Sequence, residues 1–158
     1  MSFLRLLMML SLIVWLGGLI FFAFVLAPTV FSVLPTRHLA GSVVGSALTK
    51  FEWMGLVSGI VFLLSSMLYS HLTRGRAHPF ALRHLLVCLM LALTAISHFA
   101  VTPRMAALRS SMGEIDKVPA DDPARLAFDR WHVWSTRLEQ GVFLLALLVV
   151  YLTAAEFG

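Results

Sequence analysis

The sequence predicts an all-α integral membrane protein, a four-helix bundle with a short interfacial helix between its first and second helices. Its composition is one reason: 59% of the 158 residues are hydrophobic, only 13% are charged, and the mean hydropathy is +0.90. Soluble proteins carry about 25% charged residues. The second reason is that four apolar runs approach the roughly 20 residues that cross a hydrocarbon core of about 30 Å. These two observations exclude a soluble enzyme and a cytosolic binding module.

The whole chain, residues 1–158, is predicted to form one membrane domain with spans at about 4–27, 51–72, 82–102 and 131–155. The first apolar run is broken only by Ser11. Pro28 and Pro35 interrupt the chain after it, and residues 36–48 are predicted to form the interfacial helix. Pro103 is expected to stop the third span because proline lacks the amide donor of a helix interior.

Residues 104–130 form the one long polar connection between predicted spans. The connection is expected to begin as a helical extension and to break near Val118 and Pro119. Asp122 followed by Pro123 is typical of a helix N-cap with proline in the first turn. The last helix is therefore expected to begin in water, before it enters lipid.

Small residues indicate which helix faces meet. Gly55 and Gly59 have the spacing that lets two membrane helices approach closely. In the first span, Trp15 and Gly18 share a predicted inward side at 100° per residue, and Gly17 beside Gly18 thins the helix there. The preferred interpretation of these small residues is that they lie at contacts between helices.

Polar residues gather at one predicted membrane face, where Trp53, Trp131 and Trp134 mark an interfacial belt. On the fourth span His132, Ser135 and Glu139 share one side of the helix. Glu139 is the deepest acid, and its partner must come from another helix. The candidate partners are His98 and Glu52, because they are expected at a similar depth in the membrane.

Three interpretations of this face stay open. The cluster can be purely structural, with His132 and Glu139 satisfying each other and Arg104 or Arg137. It can bind a transition metal or a haem through His98, His132, Glu139 and Glu52, or relay protons. The sequence has neither a Glu-x-x-His nor a His-x-x-x-His pair, and its single cysteine, Cys88, excludes a cysteine-rich metal site and an internal disulfide framework.

The opposite face carries a basic group in and around the short second connection, comprising His71, Arg74, Arg76, His78, Arg83 and His84. The favoured interpretation is a rim of snorkelling side chains over acidic headgroups. By simple count of Lys and Arg the opposite side, with its longer loops, is the cytoplasmic one, whereas by basic density the side of the termini is, because the short connection carries two arginines and no acid. Both termini in the cytoplasm is the orientation expected here.

Three sequence blocks resemble the transmembrane protein 205-like family, whose domain was first catalogued as one of unknown function in bacteria. The first block comprises Trp15, Phe21, Phe22, Phe24, Leu34-Pro35-Thr36-Arg37, Gly41-Ser-Val-Val and Leu48. The other two are Pro103-Arg104 with Ala106-Ala107, and Phe128-Asp-Arg-Trp-His132-Val-Trp-Ser135. The resemblance implies a four-helix domain of the bacterial inner membrane with no settled activity. It places His132, Ser135, Pro103 and Arg104 on motif positions, but not Glu52, His98 or Glu139.

A fainter likeness, confined to the stretch from Trp15 to Phe22, is to copper-resistance protein D and to haem-containing four-helix membrane oxidases. Those families place a histidine in or beside the equivalent helix. The first helix of this chain has none.

The leading functional hypothesis is a membrane bundle that binds or passes a small solute or ion through a polar seam. Its expected residues are His132, Ser135, Glu139, Arg104, Pro103 and Trp15. The alternative is a metal- or haem-centred membrane redox protein, and the third is a structural membrane partner. No residue is identified as catalytic, and an enzyme is not the favoured class. The expected partners are the lipid bilayer and, as an open alternative, further copies of the chain; nucleic acid is not expected because no basic cluster is interleaved with aromatics.

Overall fold

The computed structural model describes residues 2–74 and 81–157, and regular structure within these ranges is entirely helical. Four helical segments are long and apolar enough to cross a membrane: Ser2–Val33, Arg37–Thr73, Leu82–Met112 and Pro123–Ala155. The predicted fold class, an all-α protein with four membrane-spanning helices, is therefore confirmed. We refer to these segments as the first to fourth spans.

The described residues form six α-helices, two π turns and one short 3₁₀ turn, which lies between the third and fourth spans. In chain order they are α1 Ser2–Phe21, the first π turn Phe22–Leu26, α2 Ala27–Val33, α3 Arg37–Arg74, α4 Leu82–Ile96, the second π turn Ser97–Val101, α5 Thr102–Met112, the 3₁₀ turn Ile115–Lys117 and α6 Pro123–Phe157. Each span packs against the next along the chain, and the fourth also contacts the first.

The separate interfacial helix predicted at 36–48 is instead the first part of α3, which continues without a break to Arg74. Leu34 is extended before Pro35 and ends α2, and the Thr36 hydroxyl accepts a hydrogen bond from the Leu39 amide at 3.2 Å. From there no proline occurs until Pro79. Nothing in the sequence interrupts the helix between the polar and apolar parts, so they form one rod.

The continuous α3 extends well beyond one membrane face. Its 38 residues are about 57 Å long, against about 30 Å for the hydrocarbon core. Trp53 is typical of the membrane interface, so residues 37–52 are expected to project outward there. They pack beside α5, and α5 packs against α6. We call residues 37–52, 102–112 and 123–131 the polar extension.

Both π turns precede a proline. The first ends at Leu26, two residues before Pro28, and the second ends at Val101, two residues before Pro103. A proline within a helix lacks an amide donor and clashes with the carbonyl four residues back. An i→i+5 turn at that point removes the clash while the helix continues. Pro28 and Pro103 therefore widen their spans, whereas the sequence predicted that they end them.

The closest helix packing lies between α1 and α3. The Trp15 side chain is 2% exposed, and a Cβ atom added at Gly55 or at Gly59 would lie 2.6 Å from its indole ring. A Cβ atom at Gly18 would likewise lie 2.6 Å from the Phe51 ring. Gly17 is different, because a Cβ atom there would meet nothing within 4 Å. Gly17 is thus not at a helix contact within the described ranges, since it lies on the outer side of α1.

The helix ends of the long polar connection follow the local sequence. Asp122 Oδ1 accepts the Ala124 amide at 2.8 Å, so the predicted cap of the last helix is confirmed. At the other end, Gly113 has a φ of 65°, a conformation that favours glycine, and it follows the last residue of α5.

The basic face departs from the predicted snorkelling rim. Residues 75–80, which include Arg76 and His78, lie outside the described residues, and the orientation prediction depends on them. Arg83 and His84 are buried, where Arg83 Nη2 donates to Ser70 Oγ at 3.1 Å and His84 Nε2 lies 2.7 Å from Ser66 Oγ. These two side chains join α4 to α3 inside the bundle.

Candidate functional site

A buried carboxylate is the centre of the polar cluster near the tryptophan belt. Glu52 on α3 is 0% exposed. Its Oε1 accepts a hydrogen bond from Ser97 Oγ at 2.5 Å, and its Oε2 lies 3.0 Å from His98 Nδ1. The Thr102 hydroxyl lies within 3.3 Å of both oxygens. We call Glu52, Ser97, His98 and Thr102 the Glu52 cluster.

The second π turn makes this cluster possible. Residues five apart, such as Ser97 and Thr102, would differ by about 140° in direction on a regular α-helix of 3.6 residues per turn. Hydrogen bonding from i to i+5 brings such residues toward the same side. Both hydroxyls and the intervening imidazole therefore reach one carboxylate. A buried carboxylate is costly unless donors satisfy it, and here one turn of one helix supplies three.

Aromatic rings border the cluster. The Trp53 and His98 rings are 4.9 Å apart and meet edge to face, and the Phe99 ring lies 4.7 Å from His98 in the same geometry. Trp53 and Phe99 are themselves more than half exposed. They lie on the outer surface of the bundle, and His98 is fixed between them and Glu52.

A second carboxyl group approaches the cluster from α6. Glu139 is on α6, which packs against the second π turn. Its Oε1 is buried and has no hydrogen-bond partner among residues 2–74 and 81–157. The two acids thus differ: Glu52 is surrounded by donors, whereas Glu139 keeps an oxygen without one.

A cavity of about 560 Å³ lies in the polar extension, between the first part of α3 and α5. Its lining is His38, Ser42, Gly45, Ser46, Leu48, Thr49, Thr102, Met105, Ala106, Arg109, Ser110 and Gly113. Five of these residues carry hydroxyl groups. Thr102 belongs both to this lining and to the Glu52 cluster, so the cavity reaches the buried carboxylate through one side chain.

Arg109 is the cation of this cavity. Its Nη1 donates to the Gly41 carbonyl oxygen, and its Cζ lies 5.2 Å from the centre of the Phe128 ring. A Cβ atom at Gly41 would lie 2.9 Å from Nη2, and one at Gly45 3.0 Å from Nη1. The two glycines therefore make the space that the guanidinium occupies against α3.

The structure separates most of the seam residues that the sequence grouped. His132 is exposed and its ring stacks on Phe128, with 6.3 Å between the ring centres, so it lies outside the bundle interior. Ser135 is buried and Pro103 is exposed. Arg104 is exposed over the Trp131 ring at 4.7 Å.

Of the six predicted seam residues, Pro103 adjoins Thr102 of the Glu52 cluster, and Glu139 is on α6, which packs against the second π turn. Trp15, the sixth, belongs to the apolar contact between α1 and α3.

The predicted metal ligands His98, His132, Glu139 and Glu52 do not converge. Glu52 and His98 are in contact, but His132 is on the outer side of α6. Within the described ranges, no three His, Cys, Asp or Glu side chains lie close enough together to hold a metal ion. The metal hypothesis therefore has no support in the geometry.

Sequence reasoning missed four residues of the site: Ser97, His38, Arg109 and Gly41. Two signals could have found them. Pro103 inside an apolar run indicates a disturbed turn about four residues earlier, where Ser97 and His98 lie. Gly41 and Gly45 repeat the spacing of Gly55 and Gly59 on the same helix and indicate another close approach.

Comparison with known families assigns the chain. A family model described as Domain of unknown function (DUF4149) matches residues 10–114, well over half of the 158 residues. The chain belongs to this family. No curated protein and no solved structure matches it. The DUF4149 match leaves the more specific likenesses, to the transmembrane protein 205-like family, copper-resistance protein D and haem-containing oxidases, as predictions.

The DUF4149 match contains the whole Glu52 cluster and every residue that lines the cavity. It ends before α6, and so before His132, Ser135 and Glu139. The chain is therefore a membrane protein of a family of unknown function, and its polar site lies within the matched region.

Proposed function

We propose that this protein binds a small polar solute in the cavity of the polar extension, with the Glu52 cluster as the inner end of the binding site. The observation that carries the proposal is that Thr102 both lines the cavity and donates to Glu52. A solute in the cavity that accepts a hydrogen bond from the Thr102 hydroxyl competes with Glu52 for that donor. Binding is thereby coupled to a buried charge inside the bundle.

The dimensions and chemistry of the cavity support this proposal. Small-molecule sites have volumes of about 300–1,000 Å³ and combine apolar walls with a few placed polar groups. The cavity has 560 Å³, apolar walls from Leu48, Met105 and Ala106, and polar groups on both helices. On α6, Glu139 carries a further buried oxygen that has no hydrogen-bond partner among the described residues.

A thermal-shift screen tests the proposal, because a ligand that binds only the folded state raises its stability. The purified protein is heated in detergent with panels of sugars, polyols, amino acids and inorganic ions. Ala106 lines the cavity whereas Ala107, its exposed neighbour on α5, does not. Ala106→Phe fills the cavity, and Ala107→Phe is the matched control.

At least one solute class is expected to raise the melting temperature of the wild type and of Ala107→Phe but not of Ala106→Phe. Thr102→Val is expected to weaken the same response, since it removes the hydroxyl shared with Glu52. Absence of any such solute, or an unchanged response in Ala106→Phe, contradicts the proposal.

We also propose that both termini lie in the cytoplasm of a bacterial cell, so that the cavity opens on the opposite side of the membrane. Four spans place both ends of the chain on one side. In a Cys88→Ser background, Ser111→Cys is expected to react with an impermeant thiol reagent added to intact cells. Labelling at Ala77→Cys instead reverses the orientation.

A further inference from the structure

We infer that the solute is anionic, and that Arg109 and His38 hold its phosphate or carboxylate group in the cavity. This inference rests on the proposed function, because it names the class of solute for the same site. It is drawn from two polar side chains of the cavity that keep hydrogen-bonding atoms without a partner among the described residues. The position of the cavity relative to the membrane adds to the argument.

The first group is the Arg109 guanidinium, which is fixed but incompletely bonded. Its carbonyl contact with Gly41 on α3 and its stacking on Phe128 of α6 hold it between these two helices. Within the described residues, the contact with Gly41 is its one hydrogen bond, and no carboxylate pairs with it. A guanidinium has five donors in a planar fork that matches phosphate and carboxylate. Donors therefore remain for an anion in the cavity.

The second group is the His38 imidazole on the facing helix. Its Nδ1 is buried and has no hydrogen-bond partner in the part of the chain that the structure describes. Buried polar atoms are paired in most structures, so an exception needs an explanation. An anionic oxygen in the same cavity can accept a hydrogen bond from this nitrogen.

The acids around the cavity are bonded to groups other than Arg109, and Glu52, at its inner end, accepts the Thr102 hydroxyl. Asp116 Oδ2 accepts the His38 backbone amide at 3.0 Å, and Glu114 pairs with Lys117 at 2.6 Å. Both acids lie at the outer end of the polar extension, beyond the last residue of α5. Neither neutralises Arg109, so the guanidinium charge is available to a ligand.

The level of the cavity allows two sources of the anion. Thr49 lies four residues before Trp53 and His38 fifteen residues before it, which is about 6 Å and about 22 Å outward along α3. The inner end is thus at the height of lipid headgroups and the outer end is in water. The phosphate of an anionic lipid and a free phosphate or carboxylate both satisfy the same donors.

The test uses inorganic phosphate and lipid nanodiscs as probes. Melting temperatures are measured in nanodiscs of phosphatidylcholine with phosphate or with chloride at equal ionic strength, and in nanodiscs that contain phosphatidylglycerol. The variants are Arg109→Gln and His38→Ala, and the control is Arg37→Gln, which removes an exposed charge next to the cavity residues. His38→Ala breaks no side-chain hydrogen bond of the described residues, so it keeps the test decisive if Arg109→Gln does not fold.

Stabilisation by phosphate in phosphatidylcholine discs identifies a free anion, and stabilisation by phosphatidylglycerol alone identifies a headgroup. In either arm Arg109→Gln is expected to weaken binding about 10- to 100-fold, as loss of a charge-assisted hydrogen bond does. His38→Ala weakens it less, and Arg37→Gln leaves it unchanged. Equal responses of wild type, His38→Ala and Arg109→Gln, or no response to either probe, overturn the inference.

The two proposals fail separately. A neutral solute that stabilises the wild type but not Ala106→Phe leaves the proposed function standing and contradicts the anionic class. If no solute gives a response that depends on Ala106, both proposals are contradicted.

Discussion

The two π turns have the same backbone cause and opposite surroundings. Each has five residues and ends two residues before a proline. None of the residues of the first turn is buried, and Phe24 is 69% exposed. In the second turn Ser97, His98 and Val101 are buried, and two of them bond to Glu52. Proline sets the shape of the helix, and the side chains decide whether that shape is used.

The difference is explained by which residue of α3 faces each turn. Phe51 and Glu52 are neighbours on α3. Phe51 stacks on Phe22 of the first turn with 5.9 Å between ring centres, whereas Glu52 meets the second turn. The first contact needs only apolar area. The second contact needs donors at defined positions. Removing either the carboxylate or a donor is therefore expected to cost more stability than removing a ring of the first contact.

The largest effect is expected from Glu52→Ala. It leaves three donors, two of them on the buried Ser97 and His98, without an acceptor, and breaking a buried polar cluster of this kind costs about 3–5 kcal/mol of unfolding free energy. Phe22→Leu at the first turn loses only a ring contact, about 0.5–1.5 kcal/mol. Reversible unfolding in mixed detergent measures both variants. Similar losses would show that the two turns are equivalent.

Replacing each proline by alanine separates backbone from side-chain effects. Pro103→Ala allows the i→i+4 pattern to return, which turns Thr102 away from Glu52, and a loss of about 1–2 kcal/mol is expected. Pro28→Ala has no such cluster to lose and restores a helix hydrogen bond, so unchanged or slightly higher stability is expected. Destabilisation by Pro28→Ala alone would reverse this account of the turns.

A smaller effect is expected from Thr102→Val. The hydroxyl makes the two longest contacts of the cluster, 3.2 and 3.3 Å, and its loss is expected to cost about 0.5–1.5 kcal/mol. Thr29→Val, beside Pro28, is the matched control because Thr29 is exposed. The same unfolding measurement compares them, and equal stabilities would argue against a bond from Thr102 to Glu52.

The smallest effect is expected at a carboxylate outside both turns. The hydrogen bond and charge of Lys117 lower the pKa of exposed Glu114 below its usual value. A lowered carboxyl pKa adds stability above the unfolded-state pKa, and that stability is lost as pH falls through the folded-state value. Because the pair is fully exposed, Lys117→Ala should raise the Glu114 pKa in an NMR titration without a measurable change in melting temperature. A large change would show that the polar extension is held together by this pair.

The sequence predicts those parts of the fold that follow from local chemistry. Apolar runs define the four spans, and Asp122 before Pro123 defines the start of α6. The site is less predictable, because helical periodicity at 100° per residue fails across a π turn. Ser97 and Thr102 therefore could not be placed on the same side of their helix. The sequence argument centred on the deepest acid, Glu139, and not on Glu52.

Other features depend on contacts between distant segments. The exposure of His132 is set by how α6 packs, and the fit of Arg109 requires Gly41 and Gly45 on another helix. The continuity of α3 was missed because a change from polar to apolar composition resembles a helix boundary. In a membrane protein such a change marks the interface, and only a breaker such as Pro35 ends the helix.

The most direct test of the central claim, that side chains of the second π turn hold Glu52, is a double-mutant cycle between Glu52→Ala and Ser97→Ala. Their side-chain oxygens are 2.5 Å apart. Residues in contact show interaction energies of about 0.5–3 kcal/mol, whereas independent sites add to within about 0.5 kcal/mol. We expect a coupling of at least about 1 kcal/mol in unfolding free energy. Additive losses in the double variant would contradict the claim.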